Sequence, residues 1–164
     1  IVYFILAYVA VGLQVGLAPF LRYQDGSPNF VLLAVIFIAL NAPREPALLG
    51  AFMLGLLQDL MSTRGLGVYA FRYGPAAMFT ISTQEIVYRE HPLTHLTLGL
   101  MTGLITAMVL IVHACLPWLH ATAPLKGPLI SAVLTAVAAP IVLGVLQRMK
   151  RLFAFKPERR HRYF

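Results

Sequence analysis

Six apolar runs, parted by short polar turns, constrain this chain more than any other feature of it. They occupy residues 1–21, 28–42, 47–61, 66–83, 93–119 and 129–147. Apolar runs with polar residues confined to the turns suit a backbone surrounded by lipid, where each N–H and C=O must be bonded within its own helix. Hydrophobic residues make up 59% of the 164 and charged residues 12%, against about 25% charged in an ordinary soluble domain. A soluble chain this poor in polar surface could not cover its core. The predicted fold class is an all-α polytopic membrane protein: one six-helix transmembrane bundle over residues 1–149, then a basic tail at 150–164.

Two runs are short. Crossing a hydrocarbon core of about 30 Å takes about 20 residues, and 28–42 and 47–61 fall below that. They are short helices, a re-entrant pair, or helices that thin the bilayer locally. A hairpin that crosses twice or not at all leaves the sidedness of everything after it unchanged. The run at 66–83 holds Arg72 and Pro75, and Pro140 reads as a kink in 129–147. The first run begins at Ile1, without Met. It is too long for the apolar core of a signal peptide and has no basic segment in view, so it is expected to be a mature helix from a trimmed start.

Charge is strongly uneven. The net charge is +7, and residues 148–162 carry Arg148, Lys150, Arg151, Lys156, Arg159, Arg160 and Arg162 against Glu158 alone, which is +6 of it. In a soluble protein that would point to nucleic acid. Directly after an apolar run it is the positive-inside signal and a patch for anionic lipid headgroups, and no nucleic-acid partner is expected. With the tail in the cytoplasm and six spans, the N-terminus is cytoplasmic too. Inside segments then hold Arg44, Arg89 and the seven tail residues, nine in all, against Arg22, Arg64 and Lys126 outside. The expected location is a bacterial inner membrane, multi-pass, with both termini cytoplasmic.

Catalytic signals are scarce. The chain has no phosphate-binding glycine loop, no zinc-type Cys/His set and no nucleophile elbow. Its one cysteine, Cys115, cannot form an internal disulfide. His91 and His95 share a helical spacing but lack a third ligand, so a structural role is the plainer reading. His113 and Cys115, two apart, diverge on a helix. No enzyme activity, cofactor or metal is expected.

The informative cluster lies in 47–83. Ala47, Ala51, Gly55 and Asp59 recur every four residues, a stripe of small side chains ending in an acid. Such stripes let membrane helices approach closely. Asp59 lies within an apolar run and near a helix C-terminus, where the helix dipole disfavours an anion. Either it pairs with Arg72 or Arg64 and so closes the hairpin, or it reaches interfacial water. Gly12/Gly16 and Gly99/Gly103 are GxxxG pairs, read as packing within the protein or as the face of a homodimer or partner. Gln14, on another face from Gly12 and Gly16, is placed to hydrogen-bond across helices.

From Ser27 to Ala70 the chain reads SPNFVLLAVIFIALNAPREPALLGAFMLGLLQDLMSTRGLGVYA. This resembles the MreD family of rod shape-determining proteins. The matching residues are Pro28 and Asn29 before an apolar helix and Arg44 in the following loop. Gly50, Gly55, Leu56, Gln58 and Asp59 follow on the next helix, then Leu66, Gly67 and Ala70 after a short turn. Gly50 and Gly55 stand five apart where the family pattern has four. The resemblance implies a non-enzymatic inner-membrane scaffold subunit of the cell-wall elongation complex. It would bind MreC and act through it with MreB, RodA and a class B penicillin-binding protein. It also implies a fold similar to the S components of energy-coupling-factor transporters. Pro28, Asn29, Arg44, Gly50, Gly55, Gln58, Asp59, Gly67 and Arg72 become the candidate partner-binding or structural residues. Two other functions compete. A substrate-capturing transport subunit would need a polar pocket near the outer surface, for which Gln58, Asp59, Arg64, Tyr69 and Arg72 are available. A small enzyme acting on lipid would need clustered acid and base groups within the spans, which the sequence lacks.

Overall fold

The computed structural model describes residues 2–62, 67–83, 92–114 and 126–149. These form six helices: α1 (Val2–Gly16), α2 (Phe30–Asn41), α3 (Arg44–Met61), α4 (Val68–Thr83), α5 (Pro92–Ala114) and α6 (Lys126–Met149). Helix ends follow the local chemistry. α1 stops at Gly16, five residues before its apolar run ends. The Leu17 and Ala18 amides both turn back to the Leu13 carbonyl, and Pro19 has no amide to continue the ladder. α2 begins only at Phe30, because Asn29 is its N-cap and accepts from the Leu32 amide. α3 starts earlier than its apolar run, at Arg44. Pro46 sits in the first turn, where a missing N–H costs nothing. α6 likewise starts at Lys126 with Pro128 in its first turn, and it runs on through Pro140 as α4 does through Pro75. Residues 115–119, expected to end the fifth span, lie outside the described residues, as does the tail beyond Met149.

α2 organises the bundle. All twelve of its residues are buried, and it packs against each of the other five helices. A helix that is apolar all round belongs inside a core, and here protein surrounds it. At 1.5 Å per residue it is about 18 Å long, well short of a bilayer core.

α5 and α6 are long and apolar enough to cross a membrane. On α6 the usual arrangement of a soluble helix is inverted. Leu129, Val133, Val137, Ile141 and Val145 are all exposed, Ile141 by 70%, and stand four apart along one ridge. The inward face carries Gly127, Ala132, Thr135, Ala136, Ala139 and Leu143. Large aliphatic residues outside and small ones inside are what lipid requires, since close backbone approach drives association there. The α5 partners of that inner face are Gly99 and Gly103. A Cβ on Gly99 would lie 2.7 Å from Ala139 Cβ, and one on Gly103 would lie 3.0 Å from Ala132 Cα. This GxxxG pair therefore packs within the chain. The other, Gly12/Gly16 on α1, has nothing among the described residues within 4 Å of a Cβ added at either position.

Candidate functional site

Asn41, Thr80 and His95 are buried toward one end of the bundle, but the larger polar cluster lies at the other, where α1, α3 and α5 finish and α2, α4 and α6 begin. The turn between α1 and α2 folds into this end. Tyr23 and Gly26 bond each other's backbone, and Gly26 lies so near Ile130 and Ser131 of α6 that a Cβ there would stand 2.6 Å from Ile130 Cγ2. The Ser131 hydroxyl donates to the Ser27 carbonyl. Gln14 of α1 accepts from the Phe30 amide at 2.8 Å and donates to the Pro28 carbonyl at 3.4 Å. It thus ties α1 to the start of α2, within the hairpin the two helices form.

Asn29 is the bracket of this end. Its side chain caps α2 at 3.0 Å, and its Nδ2 donates to the Tyr73 hydroxyl of α4 at 2.7 Å. Its amide donates to the Thr135 hydroxyl of α6 at 2.9 Å. The Tyr73 hydroxyl in turn donates to Gln58 Oε1 of α3. Tyr73 and Thr135 are fully buried and Gln58 nearly so, so one asparagine side chain and its amide join α2, α4 and α6, and through Tyr73 reach α3. Buried networks of this kind hold only when each member is satisfied, which makes their geometry specific.

Asp59 is also buried, 2% exposed. Its carboxylate accepts from the backbone amides of Gly67 at 3.0 Å, Tyr69 at 2.8 Å and Ala70 at 3.1 Å. These are the N–H groups that the first turn of α4 leaves without helical partners. An acid in the last turn of α3 therefore serves as the N-terminal anion of α4, and the second dipole offsets the unfavourable first one. Gly67 makes this turn with φ +97°, a conformation that costs a side-chain-bearing residue but not glycine. Gly55, one turn earlier, lets the helices meet. The carboxylate, expected to pair with Arg72 or Arg64 or to reach water, is held by these three preorganised backbone donors. Arg64, the other expected partner, lies outside the described residues.

Arg72 turns to α5. Its Nε donates to the Thr106 carbonyl at 3.0 Å, and its guanidinium lies over the Tyr69 ring, 4.9 Å from the centroid. It is 7% exposed and forms part of the wall of a cavity of about 280 Å³. Gln14, Arg22, Asp25, Ser27, Asn29 and Gln58 line the same space, with Tyr69, Thr106, Ser131 and Thr135. A second cavity of about 230 Å³ shares Gln14, Gln58 and Tyr69 with the first, and its remaining walls are Val11, Val15, Val31, Met61 and Ser62.

Against known families, the model for rod shape-determining protein MreD matches residues 1–149, which is all six helices. This chain belongs to the MreD family. It is therefore a rod shape-determining membrane protein, from a family that is part of the rod-shape complex. No curated protein and no solved structure matches it.

Of the candidate residues in this MreD-family chain, Pro28, Asn29, Gln58, Asp59, Gly67 and Arg72 come together at the polar end, with Gly55 just beneath. Arg44 opens α3 at the opposite end and is exposed, and Gly50 is half-buried partway along. Of the histidines, His95 is buried and His91 lies outside the described residues. Among the described residues no three metal-ligating side chains cluster. The sequence reading missed Tyr73, Thr106, Ser131 and Thr135. The signal was present, since Thr106 shares an α5 face with Gly99, Thr102 and Gly103. Ser131 and Thr135 lie beside Ala132 and Ala136 in the same way. Hydroxyls on a small-residue stripe face the helix packed against it.

Proposed function

We propose that this MreD-family chain is a non-enzymatic scaffold subunit of the bacterial cell-wall elongation complex, seated in the inner membrane with six spans and both termini cytoplasmic. In this reading it binds MreC and through it serves MreB, RodA and a class B penicillin-binding protein, helping to organise peptidoglycan synthesis. The carrying observation is the family match across residues 1–149. The lipid-compatible ridge of α6 and the nine-to-three distribution of basic residues support the placement. The basic charge of residues 150–164 suits anionic headgroups of the cytoplasmic leaflet. Arg44, exposed at the start of α3, falls on the same side.

A partner needs an uncommitted helix face, and α1 has one. Phe4, Tyr8, Gly12, Val15 and Gly16 are exposed along it, and among the described residues no neighbour approaches the two glycines. A second copy of the chain could occupy the same face as a homodimer. The architecture of the energy-coupling-factor S components is the fold we expect the whole bundle to share.

The test is affinity capture of the tagged full chain from its native membrane in nanodiscs, with mass spectrometry of proteins and small molecules. Near-equal recovery of MreC supports the scaffold. Recovery of transport ATPase subunits without MreC would replace it with a transport subunit, the reading favoured by a polar cavity lined by Gln58, Tyr69 and Arg72.

A further inference from the structure

We infer that the paired cavities at the polar end form one binding site for an anionic amphiphile. The charged head would lie in the larger cavity and an acyl chain in the smaller. The larger is lined mostly by polar side chains, with Leu32, Leu110 and Ala132 among its walls. Among the described residues its walls carry two cationic side chains, Arg22 and Arg72, and one carboxylate, Asp25. Asp59 does not line the space; its oxygens are held by three amides. The α6 N-terminus at Gly127 and Pro128 also faces it and adds the positive end of a helix dipole. Arg72 is more than nine-tenths buried and held from behind by Thr106 and Tyr69, so its head group is positioned before any ligand arrives. The volume of about 280 Å³ corresponds to about nine waters at 30 Å³ each, near the lower limit for a ligand pocket. It suits a phosphate-bearing headgroup rather than a large solute.

The smaller cavity identifies the kind of molecule. A water-soluble anion needs only the polar chamber. Here the chamber adjoins, across Gln14, Gln58 and Tyr69, a second space whose other walls are Val11, Val15, Val31 and Met61 with Ser62. Val15 and Met61 are both more than half exposed, so this space reaches the bundle surface between α1 and α3, where a membrane protein meets acyl chains. A polar, cationic chamber that shares three wall residues with a partly apolar space at the bundle surface fits an amphiphile with an anionic head.

The inference rests on membrane placement and not on any protein partner, so it stands or falls apart from the capture experiment. The test is native mass spectrometry of the purified full chain, titrated with phosphatidylglycerol, with phosphatidylethanolamine and with sn-glycerol 3-phosphate. One phosphatidylglycerol is expected to bind in preference to phosphatidylethanolamine. Val15→Trp, at an exposed position, should abolish it by filling the smaller cavity. Arg22→Gln, also exposed, should weaken it about threefold, and Arg72→Gln about tenfold or more. Since Arg72→Gln also removes packing, thermal unfolding of each variant without lipid separates lost binding from lost fold. Equal binding of the two lipids, or binding indifferent to both Val15→Trp and Arg22→Gln, would overturn the proposal. Tight glycerol phosphate binding unaffected by Val15→Trp would overturn it in favour of a soluble anion.

Discussion

Gly55 of α3 and Ala70 of α4 are in backbone contact: a Cβ added to Gly55 would stand 2.4 Å from Ala70 Cα and 2.6 Å from its amide nitrogen. Neither atom is the end of a flexible side chain, so the helices themselves would have to part. The Ala70 amide is also one of the three that hold Asp59. Packing and electrostatics at this hairpin are therefore one unit.

Gly55→Ala should cost about 1–3 kcal/mol, the range for overpacking a tight site, and Gly55→Val more. Thermal unfolding of purified protein in detergent measures it. An unchanged midpoint for Gly55→Val would show that the hairpin is not this close.

Asp59→Ala should cost about 3 kcal/mol or more, because it leaves buried amides without an acceptor. Asp59→Asn keeps the shape but places an NH2 group against N–H donors, and should cost about 1–2 kcal/mol. The same unfolding assay ranks the two. If Asp59→Asn with Arg72→Gln restored stability lost in Asp59→Asn alone, an ion pair would govern the site instead.

The two GxxxG pairs should separate cleanly. Gly103→Val, against Ala132, should destabilise the α5–α6 contact by about 1–3 kcal/mol. Gly12→Ala and Gly16→Ala should leave stability unchanged or raise it by up to about 1 kcal/mol each, from helix propensity. Equal losses at both pairs would refute the difference in packing.

Asn29→Ala removes a helix cap and a donor to Tyr73 together, and should cost about 2 kcal/mol or more. Asn29→Asp keeps the cap but loses the Nδ2 donor, so it should retain part of that stability. Indistinguishable melting of the two variants would show that Tyr73 contributes nothing.

Sidedness has its own test. In a Cys115→Ser background, a membrane-impermeant maleimide added to intact spheroplasts should label Gln24→Cys and spare Arg44→Cys. Both positions are exposed, at opposite ends of the bundle. The reverse pattern would invert the orientation.

The helices were largely legible in the sequence because apolar runs and proline-bearing turns announce them. Their ends were less so. α2 begins where Asn29 caps it and α3 where Pro46 fits a first turn, and these are local hydrogen-bonding facts that hydropathy does not encode. Asp59 stood out as an acid in the wrong place, but its partners did not. Matching side-chain charges finds arginines and overlooks amides, although Gly67 marked the turn that presents them. The cavity was half visible: Gln58, Tyr69 and Arg72 lie close together in the chain. Thr106, Ser131 and Thr135 join them only because α5 and α6 fold back against the start of α4, and no local pattern carries that.

The enclosure of α2 has a consequence for how the protein is made. A segment of about 18 Å that touches protein on every side gains nothing from the bilayer by itself. Its apolar residues are read by five neighbours that have not all been synthesised when it leaves the ribosome. Its burial is completed only when α6 arrives. The last helix thus closes the shelter of the second, and amide protons in α2 should exchange at the rate of global opening rather than by local fraying.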